Sequence, residues 1–153
     1  MNIFESLRAD HDIQRNLCEA LVKTSGNSDE RKSLWKELRK ELKAHSIAEE
    51  RHFYIPLFDE DKTQKHARHG VAEHHEMDDL IKQLDENEMD SPSWLTYAKQ
   101  LSDKVHHHLK DEEHTIFQLA GKVLSDSKKT KLANDYRKKM NEENAGIEHK
   151  STK

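Results

Sequence analysis

The apolar positions of this chain recur at steps of three and four residues over most of its length. Such spacing predicts amphipathic α-helices, and no sustained alternation or hairpin dipeptide between apolar runs indicates a strand. Turn residues divide the pattern into five segments. The predicted helices span Glu5–Lys23, about Glu30–Tyr54, roughly Thr63–Asn87, Pro92 to about Leu124, and a shorter polar stretch to about Asn144.

Local signals indicate where several of these helices begin and end. Ser28 or Asp29 can cap the second helix, because both side chains accept hydrogen bonds from free backbone N–H groups. Pro56 disfavours the helical conformation at the residue before it, so the second helix is predicted to end at Tyr54. The tail from Ala145 is predicted to be frayed.

The connections between the first four helices are short, so neighbouring helices should run antiparallel. The predicted fold is all-α: an up-down-up-down antiparallel four-helix bundle with an additional short C-terminal helix. One domain of 153 residues is expected. It would consist of a core bundle over about 3–124, a C-terminal helix over about 126–144 and a tail over 145–153.

Composition narrows the function classes. Charged residues make up 37% of the chain, and the net charge is -4 with both signs interspersed, so no basic face invites nucleic acid. No apolar run is long enough to cross a membrane. The single cysteine fits a reducing compartment, and the expected location is cytoplasmic. Histidine is the anomaly, at 12 residues.

The apolar stripes of the predicted helices are interrupted by ionisable residues. Helix 4 carries two of them, His108 and Glu112, which lie one turn apart on the core-facing side. Helix 2 repeats the same His-x-x-x-Glu spacing. Helices 1 and 3 each lose one core position to histidine. The six interruptions are His11, His45, Glu49, His74, His108 and Glu112.

An empty apolar core could not hold this set of side chains cheaply. A carboxylate buried in a bundle costs several kcal/mol unless it is paired or bound to metal. Two divalent cations would compensate Glu49 and Glu112 and would bind the imidazoles. Imidazole suits iron, zinc, copper and nickel, and carboxylates can bridge two ions.

Four motifs in register with these stripes resemble the hemerythrin-like HHE cation-binding family: ADHDI, KAHSIAEE, AEHHEMDDLI and HHHLKDEEHTIF. The resemblance covers the first to the fourth helix. It implies a four-helix bundle with a non-haem diiron centre, and zinc or another divalent metal remains an alternative. Carried over residue by residue, the implied metal ligands are His11, His45, Glu49, His74, His108 and Glu112.

Two departures separate the chain from the oxygen-carrying members of that family. The carriers have a His-x-x-x-His pair on helix 3, but the positions four residues from His74 are Gly70 and Asp78. The carriers end helix 4 with His-x-x-x-x-Asp, where this chain has His-x-x-x-Glu. Fewer nitrogen ligands leave more open positions, which favours reactive or sensing chemistry over reversible oxygen carriage.

Neighbouring histidines compete for two of the ligand positions. His75 is the rival of His74, and His107 is the rival of His108 but falls off the apolar stripe. His52, three residues after Glu49, is a candidate hydrogen-bond partner for a ligand.

The carboxylates that directly follow the proposed ligands, Glu50 and Glu113, are expected to point away from the centre.

Other metal classes fit less well. A ferritin-like site needs two Glu-x-x-His motifs, but Thr115 stands where the second histidine should be. A zincin needs His-Glu-x-x-His, and His75–Glu76 leads to Asp79.

Three hypotheses of function follow. In the first, the diiron centre binds dioxygen, peroxide or nitric oxide for sensing, stress response or iron and redox homeostasis, with an unknown protein partner. In the second, the protein is a peroxide- or NO-processing oxidoreductase. In the third, it is a metal-buffering or interaction module with a structural metal such as zinc.

Overall fold

The computed structural model describes the backbone of residues 1–151 and the side chains of residues 1–146. Every regular element in this range is helical, which confirms the predicted all-α class. The elements are α1 (Ile3–Leu21), α2 (Asp29–Glu49), a first π-helical turn (Glu50–Tyr54), α3 (Ile55–Phe58), α4 (Gln64–Glu86), α5 (Pro92–Asp111), a second π-helical turn (Glu112–Ile116), α6 (Phe117–Val123) and α7 (Asp126–Ser151).

Two apolar clusters lie on either side of the predicted metal ligands. The π-turn cluster includes Ile3, Leu7, Phe53, Ile116 and Tyr136. The tryptophan cluster includes Leu21, Trp35, Leu84, Trp94 and Leu101. Helices α1 and α4 run from the first cluster to the second, and α2 and α5 run back. The first four long helices therefore alternate in direction, as predicted.

Pro56 does not end the second helix, and this part of the sequence-based prediction is wrong. The chain passes from α2 through the first π turn into α3, which ends at Phe58. In the π turn the backbone N–H of Ile55 bonds to the carbonyl of Glu50, five residues back. Pro56 then occupies the first turn of α3, where proline is tolerated.

The start of α1 also lies earlier than predicted. Asn2 caps the helix by accepting from the backbone N–H of Glu5, and the Glu5 side chain accepts from the backbone of Asn2. This reciprocal capping satisfies two N–H groups and moves the first helical residue to Ile3. At α2, Ser28 is the cap rather than Asp29.

The C-terminal helix is not short. It spans 26 residues and continues past both Asn144 and Ala145 to Ser151, because this stretch has no proline and is rich in helix-forming Glu and Lys. The helix therefore extends through 145–151, beyond its predicted end, whereas the fraying of this stretch stays a prediction, and 152–153 lie outside the described residues. Helix α7 packs against α1, α2 and the first π turn.

Among the described residues, no helix combines the length and the apolar character needed to span a bilayer.

Candidate metal centre

The six residues that interrupt the apolar stripes converge between the two apolar clusters. Each comes from a helix segment that crosses the middle of the bundle, and each is at most 2% exposed. The predicted set is thus brought together as a group, comprising His11, His45, Glu49, His74, His108 and Glu112.

Within the group, two sets of three residues could each hold a cation. The first, here called the α1/α2 trio, consists of His11, His45 and Glu49. The second, here called the α4/α5 trio, consists of Glu49, His74 and His108. In each trio the potential ligand atoms lie within 4.8 Å of one another. Glu49 belongs to both trios, which is the placement that a bridging carboxylate needs.

The Glu49 oxygens divide between the two trios. Oε2 lies 3.4 Å from Nε2 of His45, and Oε1 lies 3.1 Å from Nε2 of His74. Glu112 makes a second link across the group, with Oε1 3.4 Å from Nε2 of His11 and Oε2 3.3 Å from Nε2 of His108. Both carboxylates therefore reach both halves of the cluster.

The outer ring nitrogens of three histidines are held by carboxylates. Nδ1 of His11 lies 2.7 Å from Glu113, and Nδ1 of His74 lies 2.8 Å from Glu50. Nδ1 of His108 lies 2.8 Å from Oε1 of Glu73. These contacts aim the opposite nitrogens, Nε2, at the centre of the cluster.

Glu50 and Glu113 therefore do not point away from the cluster, and that prediction is wrong. Glu50 opens the first π turn and Glu113 lies in the second. A π turn spreads five residues over its hydrogen-bonded repeat, so successive side chains are less divergent than in an α-helix. A ligand carboxylate and the residue after it can then serve neighbouring histidines.

The fourth histidine, His45, has a different partner. Its Nδ1 lies 2.6 Å from the hydroxyl of Tyr136 on α7. That hydroxyl donates to Asp10 at 2.5 Å, and Arg137 reaches the same Asp10 oxygen at 3.1 Å. Because the phenol proton goes to Asp10, the Tyr136 oxygen accepts from His45, and Nε2 of His45 is free to bind a cation.

Tyr54 lies inside the cluster. Its hydroxyl donates to Oε2 of Glu112, and its ring stacks on His74 with centroids 5.6 Å apart. Gly70 makes room for this ring, since a Cβ at Gly70 would lie 2.5 Å from Cζ of Tyr54. One of the two positions four residues from His74 is thus a glycine, and a phenol fills the space beside it.

The electrostatics of the cluster favour positive charge at its centre. Burial lowers the pKa of His108, but hydrogen bonds with Glu112 and Glu73 raise it to about 10. Burial raises the pKa of Glu49, yet His45 and its other neighbours hold it well below its usual range. Buried carboxylates that remain ionised need positively charged partners. Metal ions can supply this positive charge in place of protonated imidazoles.

The cluster leaves buried polar atoms without a hydrogen-bond partner, and six of them face its centre. Buried groups of this kind cost free energy unless something satisfies them. Imidazole nitrogens with carboxylate oxygens are a donor set that first-row transition metals accept. The residues therefore fit a metal centre. The six atoms are Nε2 of His11, His45 and His108, both oxygens of Glu49, and Oε1 of Glu112.

The rival histidines lie elsewhere. His75 and His107 are exposed, which favours the predicted register of His74 and His108. His52 lies with Asp135 and Lys139 near the outer face of α7, so it is not a partner of the cluster.

Five residues that support the cluster were missed by the sequence reasoning. The spacing of His69 and Glu73 repeats the His-x-x-x-Glu motif and could have drawn attention to Glu73. Tyr136 offers no local signal, because it is 91 residues from His45 in the chain. The missed residues are Glu50, Tyr54, Glu73, Glu113 and Tyr136.

Comparison with known proteins supports the metal-binding interpretation. The family model described as the hemerythrin HHE cation binding domain matches residues 2–120. A crystal structure of a hemerythrin HHE cation binding domain-containing protein from Mycobacterium kansasii superposes with a TM-score of 0.85. It is 22% identical, and the match covers 95% of this chain and 89% of that one. Among curated proteins, none matches the sequence.

Proposed function

Because the chain belongs to the hemerythrin HHE cation-binding family, we propose that the buried cluster holds two non-haem iron ions that bind dioxygen, peroxide or nitric oxide. The observation that carries the proposal is the group of six unpartnered buried atoms directed at one centre. The role would be sensing, stress response or iron and redox homeostasis. We place the protein in the cytoplasm, since its one cysteine fits a reducing compartment.

The α1/α2 trio would hold one ion and the α4/α5 trio the other. Glu49 would be shared, and Glu112 would join the His11 side to the His108 side. Two carboxylates would offset about half of the charge of two divalent ions. The carboxylates and the phenol on the outer nitrogens keep each imidazole in the tautomer that presents Nε2 to the metal.

When bound, two irons supply one-electron redox changes and coordination positions for a small molecule. The chain supplies the surroundings. Its six proposed ligands are at most 2% exposed, so only a small ligand could reach them. The flanking apolar clusters exclude bulk water. The Tyr54 hydroxyl donates its hydrogen bond to Glu112, and it could donate to a ligand bound nearby by turning away from that carboxylate.

Metal analysis of the purified protein tests the proposal. We expect about two irons per chain, because each trio would hold one ion. After aerobic purification we expect the near-UV absorption that is typical of an oxo-bridged diferric pair. Two zinc ions per chain, with no colour and no uptake of iron, would overturn the proposal and favour a metal-buffering or structural role.

Tyr54 favours a second candidate, a peroxide- or NO-processing oxidoreductase, because a buried O–H lies directly at the centre. Addition of hydrogen peroxide to the iron-loaded protein, followed by an oxygen electrode, separates the two. Sustained oxygen evolution that falls in Tyr54→Phe supports the enzyme. Peroxide that changes the spectrum without turnover supports the sensor.

A further inference from the structure

A second group of potential metal ligands lies at the surface beside the buried cluster. Its members, here called the outer trio, are His69, Glu73 and Asp111, and their potential ligand atoms lie within 4.8 Å of one another. Nε2 of His69 is 3.4 Å from Oε1 of Glu73. Neither His69 nor Asp111 belongs to the proposed diiron ligands.

The local structure places these three side chains together. His69 and Glu73 are four residues apart on α4, so they share a face of that helix. Asp111 is the last residue of α5, which packs against α4. One imidazole and two carboxylates form a donor set that suits Fe²⁺ or Zn²⁺.

The outer trio runs from solvent to the interior. The side chain of His69 is 56% exposed, Asp111 is half-buried, and Glu73 is only 3% exposed. The buried end touches the proposed diiron centre, because Oε1 of Glu73 also accepts from Nδ1 of His108 at 2.8 Å. One carboxylate thus contacts both an exposed histidine and a proposed ligand of the buried centre.

The ammonium group of Lys104 does not occupy the Glu73 oxygen that faces His69. Lys104 lies 3.6 Å from Oε2 of Glu73, the oxygen that does not face His69, and it pairs more closely with Glu76.

We propose that the outer trio binds a divalent transition-metal cation and is the entry point through which iron reaches the buried centre. The capture of a cation at the surface stands by itself, whereas its delivery to the centre rests on the proposed function. A surface site next to a buried centre lets an ion exchange part of its water for protein ligands before it enters a region without water.

Titration of the iron-loaded protein with Zn²⁺ in a calorimeter tests the capture step. Wild type should bind one equivalent more than His69→Ala. His75→Ala is the matched control, because His75 is exposed on the same helix but outside the trio, and it should behave as wild type. Equal zinc uptake by wild type and His69→Ala would overturn the proposal. The comparison holds whatever metal the buried centre contains.

Iron release tests the delivery step, since an entry point lies on the path in both directions. The reduced, iron-loaded protein is mixed with a ferrous chelator, and the coloured complex is followed with time. Release from His69→Ala should be several-fold slower than from wild type or His75→Ala, with the same final amount of iron. Equal rates overturn the entry role. A wild-type protein that takes up no iron in the loading step would instead contradict the proposed diiron function.

Discussion

The two trios of the buried cluster share Glu49 but differ in how their histidines are held. In the α4/α5 trio both outer nitrogens meet carboxylates, Glu50 and Glu73. In the α1/α2 trio one meets Glu113, but the other, on His45, meets the phenol of Tyr136. A carboxylate on Nδ1 makes the imidazole a stronger electron donor to a metal than a neutral phenol does. Two cations in this cluster should therefore be inequivalent.

The groups that hold the histidines of the two trios also lie in different parts of the chain. The partners of the α4/α5 trio lie on α4 and the first π turn, within the residues 2–120 that match the family. Tyr136 lies on α7, beyond those residues, and Asp10 and Arg137 hold it in place. The α1/α2 trio is thus completed by a helix that the family pattern does not include.

The substitution with the largest expected effect removes what the two trios share. Glu49→Ala should lose most of the bound metal and lower the melting temperature, because metal binding is coupled to folding and the one carboxylate that belongs to both trios is lost. Metal analysis and thermal unfolding measure both effects. Glu37→Ala, an exposed glutamate on the same helix, is the control and should change neither. Full metal content in Glu49→Ala would contradict the shared role.

Two single substitutions, each of which removes a histidine from one trio, should show whether each trio binds a cation by itself. We expect His45→Ala to keep a cation at the α4/α5 trio and His74→Ala to keep one at the α1/α2 trio, because each remaining trio retains Glu49. The metal content of each variant should be about half that of wild type, because one of the two trios stays intact. His107→Ala is the control and should retain both ions. Complete loss in both variants would show that neither half holds metal alone.

Removal of the phenol hydroxyl should weaken one trio selectively. Tyr136→Phe leaves Nδ1 of His45 without a partner, and loss of such a contact lowers metal affinity by roughly 10- to 100-fold. Glu50→Gln keeps an acceptor for Nδ1 of His74 but removes its negative charge. Mössbauer spectra of the iron-loaded variants should each show a shift in a different one of two iron signals. If both variants perturb the same signal, the two halves are not held independently.

The smallest expected effect concerns the space beside Tyr54. Gly70→Ala places a Cβ against the Tyr54 ring and should lower the free energy of unfolding by about 1–3 kcal/mol, the usual cost of overpacking. Gly121→Ala is the control: nothing lies within 4 Å of its Cβ, and it should stabilise the helix by up to about 1 kcal/mol. Urea unfolding distinguishes the two. Equal stability of both variants would mean that Tyr54 moves aside without cost.

The sequence predicted the six clustered residues because burial and periodicity leave a local trace. An ionisable residue on an apolar stripe, such as His108, stands out against its helix. The supporting groups leave a weaker trace or none. Glu73 repeats the His-x-x-x-Glu spacing but its partner His108 lies on another helix, and Tyr136 acts on a helix distant from it in the chain. A pattern of spacing fixes which face of a helix a residue occupies, but it does not give the neighbour on the next helix.

The errors at Glu50 and Glu113 have one origin. Both rest on the assumption that the helix keeps 3.6 residues per turn, and both residues lie in a π turn. The error at Pro56 has a different cause, because proline is tolerated in the first turn of the helix that follows the first π turn. Neither π turn contains glycine or proline to mark it in the sequence, and both begin next to or at a carboxylate of the cluster. The helical register of the clustered residues was therefore predictable up to Glu49 and Glu112 and failed immediately after them.

The two π turns also have a consequence for how the chain is organised. The first follows the glutamate of a His-x-x-x-Glu pair and the second begins at the glutamate of such a pair. Each closes with a hydrogen bond across five residues, from Ile55 to Glu50 and from Phe117 to Glu112. A π turn accommodates one residue more than an α-helix. The first two long helices and the next two thus follow one plan, a histidine helix and then a His-x-x-x-Glu helix with a one-residue insertion. Deletion of either inserted residue would rotate everything after it by about a quarter of a helical turn.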